Sequence, residues 1–457
     1  MLDTPRLFKT SLALVLSLAA GSALAAISAE QAQQLKTTLT PLGAERAGNA
    51  TGTIPAWDGG ITQAPKGYVP GKHHLDPFPG DKPLYTITKA NLEQYKGQLT
   101  AGQIALFNSY PDTFQMPIYP SRRSGSAPQW LYDNTLKNAT SAKLLDGGNG
   151  FSDAYGGVPF PVPKDGVEAL WNHITRYRGI YVVRRASEAP VQRNGSFALV
   201  TSQQEGLFTY YRPGGQFTDL KNILFYYLAF VKSPARLAGG AALVHETLDQ
   251  IKDPRQAWVY DAGQRRVRRA PNLAYDTPIA SSDGLRTADD TDLFNGSPDR
   301  YDWKLVGKKE VYIPYNNYKV TSPEVKYADL LTPGHLNPKF TRYELHRVWV
   351  VEGTLKPGSR HIYSKRVLFL DEDSWGAAVV DQYDGRGELW RVSMGYLKNF
   401  YDLPTTWSAL DVFHDLQARR YYVQNLDNEE SETVDFSQPV PEDAYFMPSA
   451  LRQRGTR

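Results

Sequence analysis

Tyr343-Glu344-Leu345-His346-Arg347-Val348-Trp349-Val350-Val351-Glu352-Gly353-Thr354-Leu355 decides the fold class. With a two-residue period, Tyr343, Leu345, Trp349, Val351 and Leu355 share one side, while Glu344, His346, Glu352 and Thr354 share the other. Three more strand-like runs follow at 361–370, 375–384 and 388–397, separated by the turn chemistry of Lys356-Pro357-Gly358, Asp371-Glu372-Asp373-Ser374 and Asp384-Gly385-Arg386-Gly387. In the last run Trp390, Val392, Met394 and Tyr396 oppose Arg391 and Ser393. The reading is a broad antiparallel sheet with one apolar, aromatic face that something must cover.

Upstream, Trp258-Val259-Tyr260-Asp261-Ala262-Gly263-Gln264-Arg265-Arg266-Val267-Arg268-Arg269 reads as a hairpin. Trp258 and Tyr260 share a face, Gly263 offers a permissive turn, and arginine dominates the return strand. Strands are also expected at 180–185, 197–202 and 207–212, and a buried one at 223–231. That last run is about half the length a membrane span needs and is rich in strand formers. Helices are expected after Ser28, over 89–99, over 167–178 and from Pro448. From 42 to 120 the chain is dense in Gly and Pro, yet Trp57, Tyr68, Phe78 and Tyr85 give it side chains to bury, so it reads as a wrapping segment. The organisation is a leader at 1–25, a helix and Gly/Pro-rich wrap at 26–160, a sheet core at 161–400, and a segment at 401–457 packing on the same domain. The fold class is mainly β with helices: a large curved antiparallel sheet, or half-open barrel, partly closed by helices.

The 457 residues suffice for a substantial core, with 41% hydrophobic and 22% charged side chains. The 28 tyrosines favour half-wet sheets or a lined cavity, and a net charge of +3 gives no global field toward nucleic acid. The lack of cysteine removes disulfides and thiol chemistry. Arg6 and Lys9 precede an apolar run at 12–20, and Ala23-Leu24-Ala25 places small residues where a signal peptidase reads, so export with cleavage after Ala25 is expected.

Catalytic motifs are hard to find. No Gly-x-Ser-x-Gly elbow occurs, His245-Glu246 lacks a second histidine one turn on, and Asp371 and Asp373 lack the glycine and terminal glutamate of a calcium loop. Neither a cofactor, a metal nor a catalytic residue is expected; carboxylate pairs for glycoside hydrolysis are assembled in space and leave no local signature, which keeps an enzyme open, and a lipid or polyester hydrolase is the weakest alternative. Arg265, Arg266, Arg268 and Arg269 would each contribute about 1 kcal/mol near an anionic bilayer. Equally, they would keep an outer strand from pairing edge to edge.

Longer motifs carry a resemblance. They are Leu42 to Asn49 with Gly52 to Trp57, Leu170-Trp171-Asn172-His173, Ala257-Trp258-Val259-Tyr260 with Arg265 to Pro271, Tyr312 to Tyr318, and Lys365-Arg366-Val367 with Asp371 to Trp375. Over nearly the whole mature chain they resemble a proteobacterial family of unknown function labelled outer-membrane lipoprotein-sorting-like. The resemblance implies a periplasmic half-open barrel, concave and apolar inside, similar to the lipoprotein carriers. It also implies work beside an exporter of the resistance-nodulation-division type and an outer-membrane protein. The chain is far longer than a simple carrier, so the cargo does not transfer. The expected function is a carrier or accessory protein for a hydrophobic, lipid-like ligand lined by Trp258, Tyr260, Trp349, Val351, Phe369, Trp390 and Met394. The four arginines would dock on a membrane surface or partner. The alternative is a docking partner of an envelope transporter that holds no cargo.

Overall fold

The computed structural model describes residues 27–270 and 275–454, so the expected leader and Pro271 lie outside it. The early strands are β1 (Tyr85–Ile87), β2 (Met116–Ile118), β3 (Lys143–Leu144) and β4 (Phe151–Ser152). Then come β5 (Tyr181–Val191), β6 (Val200–Leu207), β7 (Ile223–Ser233), β8 (Ala241–Thr247), β9 (Gln256–Asp261) and β10 (Arg266–Arg269). The later half supplies β11 (Tyr301–Pro314), β12 (Tyr343–Leu355), β13 (Lys365–Asp371), β14 (Ala377–Tyr383), β15 (Leu389–Phe400), β16 (Thr405–Asp415), β17 (Arg420–Leu426) and β18 (Val434–Asp435). Helices are α1 (Ala29–Gln33), α2 (Ala101–Ser109), α3 (Gln129–Ser141), α4 (Gly166–Thr175), α5 (Tyr327–Leu330) and α6 (Pro448–Arg454).

Sixteen of the strands form one sheet, in the order β1-β2-β12-β13-β14-β15-β16-β17-β5-β6-β7-β8-β9-β10, with β11 on β12 and β18 on β5. Apart from one parallel bridge between β2 and β12 its pairs are antiparallel, and β10 ends the order, so the sheet stays open. It is the expected large curved sheet. The segment 401–457 supplies β16 and β17, which join the two halves through β17 and β5.

The expected one-sidedness does not hold. Most residues of β12 and β15 are buried, on both sides of each strand, because both faces are covered. One cover is an apolar cluster under α2 and 318–336, containing Phe369 and Met394; the other is a cluster around α4, containing Trp349 and Val351. The polar side of β12 is sealed and satisfied: Glu344 accepts from Arg342 Nε at 2.6 Å and contacts His346 Nε2 at 3.0 Å. The cluster around α4 draws on Tyr301 and Val351 at one end of the sheet and Val182 and Leu224 at the other, which marks the inward-curving face.

Local chemistry explains the remaining differences. The strand expected at 207–212 stops at Leu207 and becomes a 3-10 turn at Thr209–Tyr211. The helix expected at 89–99 is two short 3-10 turns, and the true helix starts later, where Thr100 and Gln103 form a capping box for α2. In the hairpin the left-handed residue is Arg265 (φ 53°), not Gly263, and Asp261 Oδ1 accepts from Gln264 N–H at 2.9 Å across the turn. The Gly/Pro-rich segment wraps as expected: Trp57 Nε1 donates to Gly125 O, and Tyr68 and His74 both meet Asp402.

Candidate functional site: a latched plug beside an apolar lip

Between β10 and β11 the chain turns into the inner face, and residues 285–297 fill it. Thr287 caps the turn, and Asp292 (φ 57°) and Leu293 (φ 65°) take left-handed backbones in succession, which aims Leu293 and Phe294 into the cluster around α4. Each acidic side chain of this plug finds a built partner. Asp289 Oδ2 accepts from Arg366 at 2.7 Å and contacts His361 Nε2 at 2.9 Å. Asp290 accepts from the Tyr363 hydroxyl at 3.0 Å and from Gln382 at 3.1 Å. Asp292 pairs with Arg176 and with Arg178 at 2.6 Å, and accepts from Trp407 Nε1 at 3.2 Å. Burial alone would raise the Asp292 pKa, but the two guanidiniums hold it well below the ordinary carboxylate range.

Helix α4 supplies the latch from the other side. Asp165 caps it by accepting from the Val167 and Glu168 N–H groups, and its apolar side chains are buried nearly all round. His173 Nε2 lies 3.1 Å from both the Asp292 and Phe294 carbonyls, and Nδ1 lies 3.0 Å from the Trp375 carbonyl and 3.2 Å from the Ala377 nitrogen. Total burial, reinforced by Arg176, pushes the His173 pKa down to about 3, so the imidazole stays neutral between plug and sheet.

The far end of the same face is open. Along β7 and β8 the alternation sends Tyr226, Leu228, Leu243 and Tyr260 beneath Phe446 and Leu451 of the C-terminal segment, and sends Tyr227, Ala229, Ala242 and Val244 to the other side. Phe225 begins that second row, packed 5.3 Å from Phe208 under an Arg178 guanidinium, so the row continues the inner face. Tyr227, Ala229, Ala242 and Val244 are only half-buried, and Val259 next to them on β9 is 43% exposed. This apolar lip is where the inner face meets solvent. A cleft of about 390 Å³ lies elsewhere, between β2 and residues 337–339, with prolines, threonines and Lys339 in its walls.

The residues expected to line one cavity fall in separate places. Trp258 and Tyr260 pack beneath the C-terminal segment, with Trp258 4.7 Å from His245, so they point away from the lip and not toward a hollow. Trp349 and Val351 are in the cluster around α4, where Trp349 stacks on Trp375; Phe369 and Met394 lie on the opposite face; Trp390 donates to Asp415 at 3.0 Å. Only Trp349 and Val351 come together on the inner face. Arg265, Arg266, Arg268 and Arg269 are exposed on the turn and on β10, the last strand of the sheet order. The plug went unnoticed in the sequence, although Asp289-Asp290-Thr291-Asp292 beside Leu293-Phe294 is an acidic run joined to an apolar pair, which is the pattern of a segment that enters a cationic interior.

Fold and site define a class: an open antiparallel half-barrel whose inner face is stoppered by its own loop and left apolar at one end. Within that class the chain belongs to the family described as a protein of unknown function, DUF1329, whose model matches residues 86–452. An uncharacterised protein of Pseudomonas aeruginosa is 50% identical over 446 residues, covering 97% of each chain. Among solved structures the chain is similar to a putative outer membrane lipoprotein-sorting protein domain from Vibrio parahaemolyticus, at 15% identity and a TM-score of 0.44 over 63% of this chain and 98% of that one. It is also similar to a DUF1329 family protein from Desulfovibrio piger, at 17% identity and a TM-score of 0.39 over 60% and 92%. No helix among the described residues is long and apolar enough to cross a membrane.

Proposed function

We propose that this chain is an exported periplasmic protein that binds an elongated hydrophobic ligand along the inner face of β7–β9, beside the latched plug. The half-buried row Tyr227, Ala229, Ala242 and Val244, continued by exposed Val259, carries the reading, because it is apolar surface on the inward-curving side that the described residues leave uncovered. Each methylene withdrawn from water there contributes about 0.8 kcal/mol, so a short acyl segment binds weakly at the lip and a longer one must displace the plug. Leu293 and Phe294 occupy the path such a chain would follow, and that gives the plug a role as stand-in for cargo.

Native mass spectrometry of gently purified protein, with displacement of an apolar fluorescent probe, tests the proposal. Val244→Asp should abolish probe binding and leave the fold intact. A probe-silent wild-type protein that carries no co-purified lipid would end it.

The exposed arginines of β10 favour a second reading, in which the chain docks on an envelope transporter or membrane and holds no cargo. Loss of envelope partners after changing Arg265, Arg266, Arg268 and Arg269 to serine, in a protein that never binds the probe, would select it. Unchanged partners would leave those side chains the task of keeping the sheet edge from pairing.

A further inference from the structure

Outside the plug, a second buried polar centre lies where the wrapping segment crosses the turn after β13. His346 stands on β12, two residues before Val348, the partner of Asp371 in the β12–β13 register; Asp371 ends β13 and Asp373 follows in the turn. One ligand atom from each of the three lies within 4.8 Å of the others, and all three residues are buried. We propose that His346, Asp371 and Asp373 form a binding site for a divalent first-row transition cation such as manganese, iron or zinc.

The centre is built as such sites are built. Asp371 is wholly buried, and while its Oδ2 accepts from Ser374 Oγ at 2.6 Å and from the Tyr315 hydroxyl at 3.3 Å, its Oδ1 has no hydrogen-bond partner among the described residues. A sealed carboxylate oxygen with nothing to accept from is costly unless a cation meets it. The Glu344 carboxylate holds His346 Nε2 at 3.0 Å, the contact that fixes the ring of a metal-binding histidine, so the site uses Nδ1. Tyr315 stacks on the imidazole at 4.0 Å. Arg123 forks Asp373 at 2.9 and 2.7 Å, which leaves one lone pair on each oxygen and fixes the carboxylate in place. Ligand atoms around one cation stand roughly 3–4.4 Å apart, so the cluster must close by only a few tenths of an ångström. One imidazole with two carboxylates suits manganese, iron or zinc better than calcium, which takes six to eight oxygens. Because the histidine comes from the neighbouring strand β12, the spacing Asp371-Glu372-Asp373 shows nothing of this in the sequence.

The same cation would tie the wrap to the sheet. Arg123 also donates to the carbonyls of Glu45 and Pro55, and Trp375, two residues past Asp373, donates to Leu42 O at 2.8 Å.

The test uses the full mature chain, dialysed against EDTA and titrated with manganese, zinc and cobalt. One cation should bind per chain, cobalt should give visible d–d bands, and the melting temperature should rise. His346→Gln and Asp371→Asn should each weaken binding at least about 100-fold. If either variant fails to fold, the cobalt spectrum and stoichiometry of the wild-type chain decide alone. Absence of stoichiometric uptake by the wild-type chain overturns the proposal, and so does uptake that persists in both folded variants.

Discussion

Replacing Asp292 with asparagine removes the charge that holds the plug and leaves Arg176 and Arg178, almost fully buried, without a counter-charge. Breaking a buried pair by deleting one partner costs about 3–5 kcal/mol. Asparagine keeps an oxygen for Trp407 Nε1, so the lower end applies: about 3 kcal/mol, or roughly a hundredfold in the equilibrium between latched and released states. Urea unfolding should show a lower midpoint with an unchanged slope if the loss is global. Amide exchange should accelerate over 285–297 ahead of the sheet if the plug releases on its own. Because Leu293 and Phe294 then leave the inner face, the variant should bind an apolar probe more tightly than wild type. A loss below about 1 kcal/mol would refute the electrostatic account of the latch. A clear loss of plug protection with no gain in probe binding would refute the link between plug and lip.

Asp381 lies at the N-terminus of α2, where Thr100 Oγ donates to it at 3.1 Å, yet burial pushes its pKa up to about 7. A raised carboxyl pKa means the folded state holds the proton more tightly than the unfolded one, so stability falls as pH rises from about 4 through 7. Asp381→Asn, if matched to wild type at pH 5, should exceed it at pH 8.5 by about 3 kcal/mol in urea unfolding; equal behaviour at both values would refute this. Gly102→Ala in the same turn should destabilise by about 1–3 kcal/mol although alanine favours helix, because its Cβ would clash with Asp381 Oδ1 and Val392 Cγ2. Thermal unfolding of this variant checks the clash. Burial pushes His173 and His414 down to about 3, so below pH 6.5 the unfolded chain takes protons that the folded one refuses, and stability falls with acid. His414→Gln should flatten the decline measured between pH 6.5 and 4.

The strands from 343 to 397 were legible because β-branched and aromatic residues recur between well-marked turns, and the hairpin at 258–269 because arginine crowds its return strand. The burial of their second face was not. Glu344 and His346 look solvated in isolation, and only Arg342, close by on the same chain, together with the wrapping segment makes them interior. Strand β8 escaped notice because Ala241 and Ala242 carry no strong pattern, and β11 because Lys304, Lys308 and Lys309 mask its alternation. For the site, sequence found the helix with His173 but not its contacts, since the Asp292 carbonyl it meets is 119 residues away. Trp258 and Tyr260 were rightly placed on a common face, yet which side of a sheet looks inward depends on what the C-terminal segment covers.

The seam between β17 and β5 also sets the order in which the chain can assemble. Residues 181–191 must wait for residues 420–426, more than two hundred positions later, before the two halves share a ladder. A chain synthesised from its N-terminus therefore exposes the free edge of β5 until almost everything else has emerged, and loop-closure entropy slows the final pairing. Through that interval the half-sheet is open to wrong partners, and a chaperone that shields residues 181–191 would raise the yield of folded protein.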